Sequence, residues 1–369
     1  MDLDRLLQNP LNGYIEKAVE DGAIPVGYTC SAVPETLLSV GPLIPVRVTA
    51  PGIAGTENAD SYMSSVTCSY VRSLLEYALD GRYDFLRGWV FAASCDHLRR
   101  LYDNVSYLIR PAFCHIIDTP HSGGPAAIAW MREELGILRN SIASHFGVRA
   151  GDDELSAAIA GFNRNIALLK KIGDSRKLES PPLSGGQFHR LMIAASVLPP
   201  DAVYDLASGI ADRLENRQGI KGRRARIMVT GGRIDDAEFI DAIESQGALV
   251  VADRFCTGSM PALTLINGNI DPLSAITEHT FARTDCPRIM GDFPGRVMRV
   301  IEGAREYRAD GVIVQATKFC DMWGVEAGAL VGALREAHIP VLRLEHEYRL
   351  GAEGQLKTRV QAFMESMGR

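Results

Sequence analysis

Residues 311–323 read GVIVQATKFCDMW, and residues 88–98 read GWVFAASCDHL. Each is a short apolar run that ends in a cysteine followed by an aspartate. An apolar run of this length, flanked by glycine and rich in valine, isoleucine and aromatic residues, reads as a strand covered on both faces. Parallel sheets bind ligands just beyond the carboxyl ends of their strands. A thiol at that position is offered to a ligand crevice. Cys95 and Cys320 both stand there, and Cys68, in VTCSYVRSLLE, lies upstream of the first of them. Two such strand-end thiols, with Cys68 upstream, point to an iron–sulfur cluster.

The same kind of run recurs along the chain. In the first part it appears at 25–30, 45–50, 88–94 and 112–118, and in the last part at 225–231, 248–255, 311–317 and 340–346. Helical patterns such as SYVRSLLEYAL and GRVMRVIEGAREY intervene. Strand–helix–strand alternation predicts parallel sheets. The expected fold is therefore α/β, with two small four-stranded parallel-sheet (Rossmann-like) domains. The first spans residues 1–122 and the second 223–369. Residues 123–222 carry apolar residues at helical spacing and form a helical segment between them. Asp152 and Asp153 are expected N-caps of the helix DELSAAI. Cys95 and Cys320 follow the third strand of their halves and are expected to face one crevice.

The chain has 369 residues, enough for two or three cores. Its net charge of −6 leaves no broad basic field for nucleic acid. The basic run Arg217 to Arg226 reads as a solvated loop. No apolar stretch approaches the roughly 20 residues that span a bilayer, and MDLDRLLQNP lacks the apolar region of a signal peptide. A cytoplasmic protein is expected. In a reducing compartment the seven cysteines are thiols or metal ligands rather than disulfides. No CxxC pair occurs, which argues against zinc ribbons and ferredoxin-type runs.

Other motifs have plainer readings. LSGGQ at Leu183–Gln187 matches the signature of transporter ATPases, but the GxxxxGK[ST] phosphate loop they require is missing, so it is read as a helix start. TGGRIDD at 230–236 lacks a complete GxGxxG, and a turn needing positive φ explains its glycines. Cys114, inside an apolar strand, is a small buried hydrophobe. Cys286 is read as structural or superficial, Cys256 as a strand-end thiol that could lie near the cluster, and Cys30 as ending the first strand near Glu35. His97 is read as a polar residue on a helix's first turn. His121 sits in a loop after the fourth strand. No GxSxG elbow supports a hydrolase triad.

The chain resembles the 2-hydroxyacyl-CoA dehydratase D-component family, which includes subunits of ATP-dependent benzoyl-CoA reductase. The resemblance runs from GYTCSAVPETLLSVGPLIPVRV through TCSYVRSLLEYALDGRYDFLRG, SCDHLRRLYDN, GALVVADRFCTGS and ADGVIVQATKFCDMWGVE to GQLKTRVQAFMES. It implies one 4Fe–4S cluster held by Cys68, Cys95 and Cys320, with the fourth iron left for another ligand or the substrate. It also implies an acid/base role for Glu35, which follows Pro34 as in the family's Pro–Glu segment. The plainer reading is that Glu35 opens the helix PETLLSV, where an acid suits the dipole.

Dehydrating a 2-hydroxyacyl-CoA removes a β-hydrogen that is scarcely acidic. One electron converts the thioester carbonyl to a ketyl radical that can expel the neighbouring hydroxyl. Cluster charge, sulfur hydrogen bonds and burial set the potential of such an electron donor. The implied partners are an acyl-CoA thioester, a homologous second subunit and a separate ATP-hydrolysing iron–sulfur activator protein. Three other readings stay open. They are a benzoyl-CoA reductase-type subunit, an iron–sulfur electron-transfer or assembly protein without a substrate, and an α/β binding protein with incidental thiols.

Overall fold

The protein is described here by a computed structural model that covers residues 3–259, 263–283, 285–351 and 353–368. After short helices α1 (Leu3–Leu6) and α2 (Gly13–Glu20), the first half runs β1 (Ile24–Tyr28), β2 (Leu43–Arg47), α3 (Ser69–Leu79), β3 (Gly88–Ala92), α4 (Asp96–Asn104) and β4 (Cys114–Ile117). Four helices follow: α5 (Pro125–Phe146), α6 (Asp152–Asp174), α7 (Gly185–Val197) and α8 (Pro200–Glu215). The last part runs β5 (Ala225–Gly231), α9 (Glu238–Glu244), β6 (Ala248–Phe255), α10 (Pro272–Ala282), α11 (Phe293–Glu306), β7 (Gly311–Thr317), α12 (Asp321–Glu336), β8 (Val341–His346) and α13 (Glu353–Ser366).

The strands form two sheets of four, in the orders β2-β1-β3-β4 and β6-β5-β7-β8. Every pairing is parallel. The second sheet thus repeats the topology of the first, as two Rossmann-like units. Burial explains the apolar runs. All five residues of β3 and all seven of β7 are buried, because helices cover both faces. The edge strands β4 and β8 are only half-buried and carry more polar residues.

On one face of the first sheet, Val26 and Val90 pack under Met131, Leu135 and Ile142 of α5 and Leu155 and Ile159 of α6. Ile276 of α10 joins this same core, so the later half of the chain reaches back into the first. The other face packs on Leu74, Leu75 and Leu101 of α3 and α4. Each such aliphatic side chain contributes about 1.5–3 kcal/mol by leaving water. The second sheet lies between α9 and α13 on one side and α11 and α12 on the other.

Local capping refines two expectations. LSGGQ does open a helix: Ser184 caps α7 by accepting from the Gln187 N–H, and the Gln187 side chain accepts from the Ser184 N–H. The N-cap of α6 is Gly151 rather than Asp152 or Asp153, which lie in its first turn. Glu154 reaches back to accept from the Gly151 N–H at 3.0 Å, so the acids sit where the helix dipole favours them. Among the described residues no helix is long and apolar enough to cross a membrane.

Candidate iron–sulfur and thioester site

Cys95 and Cys320, expected at strand ends, and Cys68, which follows no strand, occupy equivalent places. Cys68 is the N-cap of α3, Cys95 of α4 and Cys320 of α12. None of the three neutral thiols makes a capping hydrogen bond. First-turn N–H groups nevertheless favour the thiolates: Val71 that of Cys68, Leu98 that of Cys95, and Trp323, Met322 and Gly324 that of Cys320. A helix N-terminus carries orphan donors and about half a positive charge. Three such termini, each offering a thiol, suit an anionic metal–sulfur group.

The thiols feel one another. Burial, with charge on Cys320 adding to it, pushes Cys68 up to about 12. Burial also pushes Cys95 well above the ordinary thiol range, and charges on Cys68 and Cys320 add to the shift. Cys320 is raised chiefly by burial. Without a cation the three are therefore protonated at neutral pH. A bound metal group would reverse this, since coordination requires thiolates and releases their protons.

One imidazole ties the three helix starts together. The Cys68 N–H donates to Nδ1 of His97 at 3.3 Å, and Nε2 of His97 lies 3.5 Å from the carboxylate of Asp321. His97 is the second residue of α4, and Asp321 follows Cys320. The loop before Cys68 is stitched down separately. Arg72 donates to Thr67 O at 3.1 Å and pairs with Asp60 at 2.8 Å, and buried Glu76 accepts from the N–H groups of Asn58 and Ala59. On the other side Phe319 sits at φ 59°, a left-handed conformation rare for a bulky residue, immediately before Cys320.

Among the described residues, no group of three or more His, Cys, Asp or Glu side chains is close enough to share a single metal ion. A four-iron cluster makes a different demand. It is several ångströms across, and each thiolate binds a different iron. A cluster held here would draw on three thiols that raise one another's charging cost, each at the N-terminus of a helix and together from both halves of the chain.

Three more thiols face the same region. Cys30 follows β1, Cys256 follows β6, and Cys286 lies in the loop after α10. Cys286 was expected to be structural or superficial. It is partly buried, and burial pushes it up to about 11, with charges on Cys30 and Cys320 contributing. Cys256 is raised by burial and by charge on Cys286 and Cys30. Cys30 goes the other way. Burial opposes ionisation, but Arg288, the Ser94 hydroxyl, the Ala32 N–H and Arg47 together hold it below the ordinary thiol range. Ser94 Oγ and the Ala32 N–H lie 3.5 and 3.4 Å from its sulfur. Cys114 stands apart, its sulfur 3.3 Å from Ser106 Oγ.

Glu35 stands where the plainer reading puts it, at the start of a helical turn. It begins the 3-10 turn Glu35–Leu38 and lines a cavity of about 440 Å³ between the halves. Tyr28 Oη donates to its carboxylate at 3.3 Å, and Arg283 stands 3.9 Å away. Burial holds the Tyr28 phenol neutral, as a donor. Cys256 and Arg47 line the same cavity.

Sequence reasoning missed the clamp that aligns the two sheets. Arg233, in the turn after β5, donates to Thr29 O at 2.9 Å and Val48 O at 3.0 Å, both just past the first sheet's strands. Its guanidinium also pairs with Asp235 at 2.5 Å and stacks 4.3 Å from the Tyr70 ring centre. Tyr348 completes the joint, donating to Asp235 at 2.8 Å while its N–H donates to Ser69 Oγ at 2.8 Å. The TGGRIDD segment thus positions the residue next to Cys68. Its first glycine, Gly231, has φ 135°, and a Cβ there would collide with the Gln315 carbonyl.

The family model described as 2-hydroxyglutaryl-CoA dehydratase, D-component, matches residues 30–367. The chain is 21% identical to the (R)-phenyllactyl-CoA dehydratase beta subunit of Clostridium sporogenes, over 99% of this chain and 98% of that one. It is 25% identical to the putative dehydratase subunit YjiM of Escherichia coli, over 94% and 92% of the two chains. It is 23% identical to a benzoyl-CoA reductase subunit of Thauera aromatica, over 93% and 90%.

Proposed function

The chain belongs to the 2-hydroxyglutaryl-CoA dehydratase D-component family, and from that premise we propose that it is the iron–sulfur subunit of a 2-hydroxyacyl-CoA dehydratase. The observation that carries the proposal is the presence of Cys68, Cys95 and Cys320 as N-caps of three helices, within electrostatic reach of one another. These residues would hold a 4Fe–4S cluster with one iron open. When bound, the cluster supplies a low-potential electron and a Lewis-acidic iron.

The chain's own residues do the rest. The N–H groups of the first turns of α3, α4 and α12 would stabilise the cluster's negative charge. His97 keeps the three helix starts in register. Arg288 and Arg47 hold positive charge beside Cys30. Glu35, hydrogen-bonded by Tyr28 in the cavity wall, would move a proton there, help worth on the order of 10²–10⁴-fold. An acyl-CoA thioester would enter by the cavity. A homologous second subunit and an ATP-hydrolysing iron–sulfur activator would complete the system. The similarity to the benzoyl-CoA reductase subunit keeps reduction of an aromatic thioester as the second reading.

The test is anaerobic isolation of the wild type and of Cys68→Ala, Cys95→Ala and Cys320→Ala. Each variant is expected to lose most of its bound iron and sulfide. Full iron in all three would refute the ligand assignment. Glu35→Gln is expected to keep iron while losing turnover with a 2-hydroxyacyl-CoA supplied with activator and ATP. Turnover of benzoyl-CoA instead would select the second reading.

A further inference from the structure

The cavity that Glu35 lines has a sealed inner end and an open mouth. Tyr28, Arg47 and Arg283 line the inner end and are only 2%, 6% and 9% exposed. Arg164 and Asp201 line the mouth, where their side chains are 46% and 93% exposed and pair at 2.7 Å. Much of the wall is apolar, through Ile44, Ala158, Phe162, Leu169 and Met192. The volume of about 440 Å³ is in the range of small-molecule sites. Cys256 also lines the cavity, and Arg47 donates through Nη1 to its carbonyl at 3.0 Å, so the inner end adjoins the gathered thiols.

The lining is balanced in charge. Three arginines, Arg47, Arg164 and Arg283, stand against three carboxylates, Glu35, Glu154 and Asp201. An added anion would break that balance in a largely apolar space, at a cost. The balance favours a ligand group that enters neutral. Hydrogen bonding at the inner end is not balanced. Apart from its bond to Cys256, Arg47 only stands over the Tyr28 ring, 5.9 Å from its centre. Arg283 comes no closer than 3.9 Å to Glu35, beyond hydrogen-bond reach. Nε of each arginine is buried without a partner. A guanidinium is all donor and no acceptor. Most of the donors of these two have no acceptor among the described residues, and a neutral acceptor would relieve them.

We propose that Arg47 and Arg283 are catalytic residues that hold the carbonyl oxygen of the bound thioester between their guanidiniums. The inference rests on the acyl-thioester reading above and adds the groups that receive the reacting oxygen. The carbonyl enters neutral, so the charge balance of the lining is kept. It supplies the acceptor that the inner end lacks. When the thioester takes an electron from the iron–sulfur donor, negative charge grows on this oxygen, against two cations already in place. Donors fixed in advance where charge develops stabilise the charged state more than the ground state. Arg47 ends β2 and Arg283 follows α10, so each half of the chain contributes one of the pair.

The experiment is calorimetric binding and isotope-edited infrared spectroscopy on the full chain, isolated anaerobically and freed of iron by chelation, so that no metal polarises the carbonyl. The probes are pentanoyl-CoA, 2-hydroxypentanoyl-CoA and S-pentyl-CoA, a thioether that lacks only the carbonyl oxygen. Pentanoyl-CoA is expected to bind at least about 10-fold more tightly than the thioether, the scale of one hydrogen bond to a charged group. Its isotope-labelled carbonyl band is expected to move to lower wavenumber on binding. Arg47→Met and Arg283→Met are each expected to bring the affinity ratio close to one and to reverse most of the band shift. Arg47→Lys and Arg283→Lys keep the charge, should keep part of both effects, and cover the case in which a methionine variant folds poorly. Residues that only shaped the wall would change the affinities for thioester and thioether alike and leave the band where it is.

Equal affinity for pentanoyl-CoA and the thioether, with an unshifted carbonyl band, would overturn the inference and leave the thioester reading standing. An unshifted band with tighter binding of 2-hydroxypentanoyl-CoA alone would also overturn it, giving the arginines to the hydroxyl. A band shift that persists in full in every arginine variant would overturn it by assigning the carbonyl to other donors. Failure of all the CoA derivatives to bind a folded chain would overturn the inference together with the reading it rests on.

Discussion

Replacing Arg233 with methionine tests whether the two sheets are held in register by one buried cation. The substitution keeps the volume of the stem and removes the guanidinium. It deletes the pair with Asp235 and the donors to Thr29 O and Val48 O. Arg233 is 8% exposed and Asp235 3%, so water cannot replace what is lost. Breaking a buried pair by removing one partner costs about 3–5 kcal/mol. Tyr348 still donates to Asp235, which keeps the cost within that range. Against a typical total of about 5–15 kcal/mol, this is a large share.

The assay is urea unfolding followed by circular dichroism, for wild type, Arg233→Met, Asp235→Leu and the double variant. The double variant removes the stranded carboxylate, so it should cost clearly less than the sum of the singles. It should stay less stable than wild type, because Val48 O loses the Arg233 donor and Thr29 O is left with the Tyr70 hydroxyl alone. A loss below about 1 kcal/mol for Arg233→Met, or a strictly additive double variant, would refute the clamp.

Acid should destabilise the fold through two buried imidazoles. Burial holds His189 and His279 near 4, so between pH 6.5 and 4 the unfolded chain takes up protons that the folded chain refuses. Stability then falls as pH drops, by about 2 kcal/mol per residue at pH 5, and a midpoint for His189→Leu with the wild-type pH slope would refute the assignment. In the iron-free protein at pH 7, Cys30 should be alkylated by iodoacetamide faster than Cys68, Cys95, Cys256, Cys286 or Cys320, and Arg288→Gln should slow it; peptide mass spectrometry reads both, and equal rates would count against the Arg288 contact. Gly231→Ala forces a side chain into the Gln315 carbonyl at φ 135° and should cost about 2 kcal/mol or more; a melting temperature unchanged from wild type would contradict the backbone drawn there. Cluster assembly should release protons at pH 7, because three buried neutral thiols must ionise, and unbuffered iron loading with no pH drop would contradict their raised positions.

The strands were legible because burial on both faces leaves little choice of residue. GWVFA and GVIVQAT became β3 and β7, and the cysteines three residues past each run became helix N-caps. Helix SYVRSLLEYAL was legible from its period and is α3. The gathering of thiols was only partly legible. Cys286 lies in a loop with no periodic pattern, and no spacing rule connects it to Cys30, which is far away in sequence. Arg233 was hidden for the same reason. Its acceptors are backbone carbonyls of the other half, and a carbonyl leaves no mark in the sequence.

The position of α10 shows why the site lies between the halves rather than in either one. Each sheet alone presents two strand-end thiols, Cys30 and Cys95 after β1 and β3, and Cys256 and Cys320 after β6 and β7. The chain instead sends α10 back onto α5 and α6, so the first core cannot be completed without residues from beyond β6. Arg283, which follows α10, is carried by that packing to within 3.9 Å of Glu35. Cys256, at the end of β6, accepts from Arg47 at the end of β2. Apolar burial of Leu273 and Ile276 therefore sets how far apart the two sheets' strand ends can stand, and Arg233 sets their rotation. A cavity bounded by both halves changes shape whenever either constraint loosens. On this geometry, truncating Ile276 to alanine opens the inner end of the cavity from a distance, through the same packing that brings Arg283 to it.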